Sequence, residues 1–179
     1  MRKYWYYAIF ICIFSNQNFA QDKDSSPKFG VHLGYALLDI NSNVFVGDTQ
    51  SGFFLGASLD FNLSESLSLA PKVLYANYSD VGFLHVPIFL NYNLNEQVYF
   101  GAGPQMTFVL DDPFNVNKEL GIDLGAGLGY NFSEKVYIEA RYAIALTNRI
   151  NEDVDFDEEA ISDPDLKYNG FMLGFGYRF

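Results

Sequence analysis

From Lys28 to Phe179 the chain alternates large apolar residues with small or polar ones at a period of two, in segments separated by turn-forming residues. That pattern predicts eight strands, over about 28–40, 52–64, 67–80, 83–95, 98–111, 119–132, 136–148 and 167–179. The sixth is the most regular: Leu120, Ile122, Leu124, Ala126, Leu128, Tyr130 and Phe132 share one face, with Gly121, Asp123, Gly125, Gly127, Gly129 and Asn131 on the other. The eighth repeats it, with Phe171, Leu173, Phe175, Tyr177 and Phe179 set against Gly170, Met172, Gly174, Gly176 and Arg178.

Two-faced strands of this kind also build soluble eight-stranded barrels with the apolar face inside. The second faces argue against that arrangement. A water-facing exterior carries Lys, Glu and Thr, whereas these faces are mostly Gly, Ala, Ser and Asn with isolated charges. Small residues suit the inside of a narrow barrel, which leaves the large apolar side chains for lipid.

The connections agree. Asn62 to Leu67, Asn93 to Val98 and Asn131 to Val136 are short and nearly repeat one another, joining strands two to three, four to five and six to seven. Residues 41–51, 112–118 and 149–166 are longer, and the turn near Ser79 is the short exception. Short turns on one side and longer loops on the other, with an even strand number, are the layout of an outer-membrane barrel whose turns and termini face the periplasm. The predicted fold is therefore all-β: an eight-stranded antiparallel up-and-down transmembrane β-barrel.

Composition fits this reading. Aromatic content is high, with eighteen Phe and thirteen Tyr, and mean hydropathy lies near zero. Strands that show lipid only alternate residues average out in this way, whereas a helical span needs a run of roughly 20 apolar residues. No such run is present.

At the N-terminus, Arg2 and Lys3 precede a short apolar stretch, Tyr4 to Phe14, and a polar segment ending at Ala20. This is the three-part layout of a secretory signal peptide. The expected organisation is a signal over 1–20, a short periplasmic segment over 21–27 and the barrel over 28–179. Cys12, the single cysteine, falls within the signal, so the mature chain carries neither a disulfide nor a thiolate metal site. Losing Arg2 and Lys3 moves the formal charge from −11 to −13, which argues against nucleic acid as a partner.

The C-terminus alternates aromatics, Phe175, Tyr177 and Phe179, a pattern that resembles the signal read by the outer-membrane assembly machinery. The stretches Leu67 to Tyr75, Leu84 to Tyr92 and Tyr137 to Tyr142 resemble the PorT-like outer-membrane β-barrel family, with Pro87 inside the middle stretch as the most specific element. The resemblance extends from about Phe29 to Phe179. It implies a small barrel in the outer membrane of a Gram-negative bacterium and little about activity.

Alternation places Asp60, Lys72, Asp123, Glu139, Arg141 and Arg178 on the inward face, three acids against three bases. Isolated buried charges cost several kcal/mol each, so this set reads as a structural plug of ion pairs, with a gated polar path as the alternative. His32 and His85 also point inward. His85 follows Ser79 and Asp80 closely, which raises a hydrolase triad such as a lipid-modifying barrel would need, but no hydrolase motif surrounds them.

The last connection holds Glu152, Asp153, Asp155, Asp157, Glu158, Glu159, Asp163 and Asp165, opposed only by Arg149. Asp153, Asp155 and Asp157 alternate as in a calcium-binding loop, but Glu158 stands where that loop needs Gly, so a solvated charge run is the expectation. These residues call for no cofactor or bound metal. The functional expectation is a non-enzymatic barrel with a structural or interaction role, which contacts membrane lipid, is inserted by the assembly machinery and presents outward loops as a binding surface to an extracellular or envelope protein. A narrow channel or small-solute carrier is the alternative.

Overall fold

The computed structural model describes residues 26–43, 47–79, 81–110, 120–150 and 165–179. Eight strands form one closed antiparallel barrel: β1 (Lys28–Ser42), β2 (Asp48–Asn62), β3 (Leu67–Tyr78), β4 (Val81–Asn93), β5 (Val98–Val109), β6 (Leu120–Asn131), β7 (Val136–Ala145) and β8 (Leu166–Arg178). β1 pairs with both β2 and β8, so no edge is left open. The expected strands are all present. β1 and β2 each run further outward than the alternation indicated, which shortens the expected 41–51 loop to the residues between Ser42 and Asp48.

Every ladder keeps a constant register. Carried round the barrel from Gly30 through Ser58, Lys72, Pro87, Gln105, Asp123, Ala145 and Tyr168, the registers return to β1 at Ile40, a stagger of ten residues. With eight strands, that stagger sets a strand tilt of about 40° and a barrel radius of about 8 Å. The registers hold even where Pro71, Pro87 and Pro104 remove ladder donors in three successive strands.

The outward side chains form the lipid-facing belt. On β1, Phe29, Val31, Leu33 and Tyr35 are all exposed, Leu33 by 64%. At the turn end, rings gather into a girdle: Phe29 lies 5.6 Å from Phe179, Tyr177 5.0 Å from Phe179, and Tyr130 5.3 Å from Phe132. Aromatic girdles mark the membrane–water boundary.

The three repeated turns close alike. Leu63 and Ser64 donate to the Leu67 carbonyl, Leu94 and Asn95 to that of Val98, and Phe132 and Ser133 to that of Val136. In the second, Asn95 Oδ1 accepts from the amides of Gln97 and Val98; in the third, Ser133 Oγ accepts from those of Lys135 and Val136. A short polar side chain at that position replaces a backbone partner, which explains the recurrence of Ser and Asn there. The tight β3–β4 turn forces Ser79 to a φ of 55°, a left-handed conformation that costs a non-glycine residue energy.

Candidate functional site

Inside the barrel, the expectation of small side chains meets a correction. Tyr99, Tyr137, Phe54 and Phe89 all fill the lumen and are buried. Each ring lies where an inward glycine leaves room. Tyr99 covers its ladder partner Gly129, Tyr137 covers Gly176, and Phe54 fits between Gly34 and Gly174. A Cβ would lie 2.0 Å from Tyr99 Cζ at Gly129 and 2.1 Å from Tyr137 Cζ at Gly176, far inside contact distance. The glycines are thus the sockets of a packed interior, not the lining of an open one.

All six expected inward charges are buried or nearly so, and the structure sorts them into three levels. Near the periplasmic end, Arg178 donates to Asp60 Oδ2 (3.0 Å) and Asn131 Oδ1 (2.8 Å) while its guanidinium lies 3.9 Å from the centre of the Tyr137 ring. In the middle, Lys72 Nζ donates to both carboxylate oxygens of Glu139, at 2.6 and 2.7 Å, and the Tyr99 hydroxyl donates to Oε2 at 2.7 Å. Arg141 Nε sits 3.5 Å from Glu139 Oε1, and its guanidinium lies 5.9 Å from the ring centres of both Phe54 and Phe89.

At the outer end, Asp123 accepts from Thr107 Oγ1 (2.5 Å), Gln105 Nε2 (3.1 Å) and Arg149 Nη2 (2.5 Å). Arg149 departs from the expectation of a loop cation opposing the acids. It is fully buried in the barrel mouth, its Nη1 donates to the Thr107 carbonyl and its amide to that of Leu166. Gly121 leaves the space that its guanidinium fills. The expected balance of three acids and three bases is corrected with it: among the described residues, Asp60, Asp123 and Glu139 face Lys72, Arg141, Arg149 and Arg178. Sequence periodicity missed Arg149 because it lies beyond the end of β7, where the inward–outward rule no longer applies.

Beside these groups an apolar cluster fills the outer half of the lumen, including Leu38, Leu74, Tyr78, Phe83, Val109 and Met172. Between Arg141, His85 and Met172 remains a cavity of about 20 Å³, room for about one water.

The two histidines belong to separate groups. His32 faces the Tyr137 hydroxyl at 3.2 Å, and His85 faces Thr107 Oγ1 at 2.8 Å while stacking on Phe83. His85 is thus held by Thr107 within the lumen, while Ser79 occupies the tight turn; Asp80 lies outside the described residues. Of the acidic loop, Glu152, Asp153, Asp155, Asp157, Glu158, Glu159 and Asp163 lie outside the described residues, as do the signal segment and Cys12. Asp165 is described: its amide donates to Asn43 Oδ1 at 2.7 Å and its carboxylate pairs with Lys167 at 2.9 Å. Phe175, Tyr177 and Phe179 point outward, and the Phe179 amide closes the barrel on the Phe29 carbonyl.

Comparison with known proteins agrees with this architecture. The chain resembles Ail, the attachment invasion locus protein of Yersinia pestis, with a TM-score of 0.51 and 20% identity over 86% of this chain and 99% of that one. It also resembles Neisserial surface protein A, with a TM-score of 0.57 and 16% identity over 84% and 97%. At these identities the likeness concerns the fold. No curated protein sequence matches the chain. The model of the outer membrane protein beta-barrel domain matches residues 7–179. With that match over nearly the whole sequence and a closed eight-stranded barrel around a packed lumen, the chain belongs to the outer membrane protein beta-barrel domain family and resides in the outer membrane of a Gram-negative bacterium.

Proposed function

We propose that this protein is a non-enzymatic, non-conducting barrel whose outward loops carry its specific activity by binding an extracellular or envelope protein. The observation that carries the reading is the filled lumen, where rings, ion pairs and the inserted Arg149 occupy the section a pore would need. Water-filled pores belong to barrels of about 16 strands, whereas the interior of eight is narrow enough for side chains to fill. Binding in such proteins resides on loops held by a rigid scaffold, and this scaffold grips the base of the acidic loop through Arg149 and Asp123.

Within the family, the segments around Pro87 and Tyr137 support a place in the PorT-like group. The alternating Phe175, Tyr177 and Phe179 support recognition by the outer-membrane assembly machinery, after export directed by residues 1–20.

The test is to replace residues 152–164 with a short Gly-Asn linker, leaving Arg149 and Ile150 in place. The variant is expected to insert normally, as read by a heat-dependent gel shift, and to lose crosslinked partners recovered from native outer membranes. Unchanged crosslinks in a correctly inserted variant would overturn the loop assignment. Saturable calcium binding lost in the same variant would make the acidic run a cation site instead.

A further inference from the structure

Three neighbouring ladders of the barrel are interrupted, and a proline stands in each gap. Between β2 and β3 the pairing stops at Ser58–Lys72 and resumes at Phe61–Leu69. Between β3 and β4 it stops at Pro71–Ile88 and resumes at Leu74–His85. Between β4 and β5 it stops at Pro87–Gln105 and resumes at Leu90–Ala102. The other five ladders run without a gap.

The constant registers place Pro71 opposite Leu59, Pro87 opposite Lys72 and Pro104 opposite Ile88. The turns set the phase of the hydrogen bonds: Leu63 donates to the Leu67 carbonyl, Asn93 to that of Ser66 and Leu94 to that of Val98. Counting back in twos from those bonds puts all three prolines at positions where facing residues exchange two N–H···O bonds. Proline has no amide hydrogen, so the carbonyls of Leu59, Lys72 and Ile88 lose their ladder donors.

A second observation does not depend on the prolines. Gly103 lies in the β4–β5 gap, and a Cβ there would collide with the Ile88 carbonyl oxygen. That carbonyl leans on a neighbour in a way that only glycine permits.

The gaps adjoin one another. Leu59, Pro71, Ile88 and Pro104 form one row across β2 to β5, and the Lys72–Pro87 pair lies one residue away. Leu59 and Ile88 are exposed on the lipid face, while Lys72 is buried at the middle charge level. Behind the row, a periplasmic vestibule of about 600 Å³ reaches Asp60 and Asn91. Lipid offers no donor to a carbonyl that has lost its partner, so this row is the weakest part of the wall.

We infer that the barrel carries a lateral seam across β2–β5, a line along which the wall opens locally and as a unit while β6, β7, β8 and β1 stay paired. The seam lies in the strands, so it is independent of the binding role proposed for the outward loops.

The test is amide hydrogen exchange, read by NMR on the folded barrel in lipid nanodiscs. The reference is Ala126, six residues from Phe132 on β6 as Ile88 is from Leu94 on β4, but in a continuous ladder. The amides of Leu59, Lys72 and Ile88 should exchange about tenfold faster than that of Ala126. Pro104→Ala returns a donor to the Ile88 carbonyl and should slow Ile88 about fivefold, the scale of one hydrogen bond. Because the seam opens as a unit, Lys72 and Leu59 should slow with it. Pro104 is exposed on the lipid face, so the variant should keep the folded gel mobility. Pro71→Ala repeats the test from the other end of the row, and the wild-type comparison stands whether or not either variant folds. Equal protection of the three amides and Ala126 would overturn the inference. So would slowing confined to Ile88 in Pro104→Ala, which would leave three separate defects and no seam.

Discussion

Glu139 is the single carboxylate at the middle level, and replacing it with Gln gives the sharpest test of the packed lumen. It accepts two bonds from Lys72 and one from Tyr99, and Arg141 stands 3.5 Å away. Glu139→Gln keeps the shape but leaves two buried cations facing a neutral amide, with four bases against two acids among the described residues. Removing one partner from a buried pair costs about 3–5 kcal/mol, because the remaining charge stays desolvated.

Lys72→Met should cost less, below about 3 kcal/mol. Glu139 then keeps the Tyr99 hydroxyl, Arg141 is near enough to take the vacated side, and the surplus base is removed. The assay is urea unfolding of barrels refolded into phospholipid vesicles, with the folded fraction read by the heat-dependent gel shift. At a slope of about 2 kcal/mol per molar urea, the Gln variant should lower the midpoint by roughly 2 M. An equal or larger loss for Lys72→Met would refute the reasoning, since it would mean that Arg141 cannot reach Glu139 and that the charge surplus is not felt.

Three further outcomes are expected. Gly129→Ala should destabilise the barrel by about 1–3 kcal/mol through overpacking against Tyr99, and Tyr99→Leu in the same chain should recover part of that in the same urea assay; a neutral single variant would contradict the socket. Arg149→Ala should cost several kcal/mol by stranding Asp123 and should raise proteolysis near Thr147; a fall in stability without new cleavage would dissociate the ion pair from loop anchoring. The wild-type barrel should show negligible steady conductance in planar bilayers, and a stable channel of nanosiemens size would overturn the closed lumen.

Much of this protein was legible in the chain itself. Strict alternation assigned every strand, because one face meets lipid and the other the lumen, and a one-residue slip would exchange them. The same rule placed Asp60, Lys72, Asp123, Glu139, Arg141 and Arg178 inward without any contact being known. The alternation of short turns and longer loops gave orientation, since it follows from how such barrels insert.

What alternation cannot supply is pairing across the barrel. Lys72 lies on β3 and Glu139 on β7, and only closure with a stagger of ten residues brings them together. Glycine opposite tyrosine acquires meaning only once the β5–β6 and β7–β8 registers are fixed, because a socket exists where two strands meet and not in either alone. Arg149 escaped for a related reason: beyond β7 the period ends, and its burial depends on Asp123, Gly121 and the Thr107 carbonyl from β6 and β5. Periodicity along the chain settles which side of the sheet each strand residue faces; which charges neutralise one another, and so that the lumen is filled, follows only from closure of the barrel.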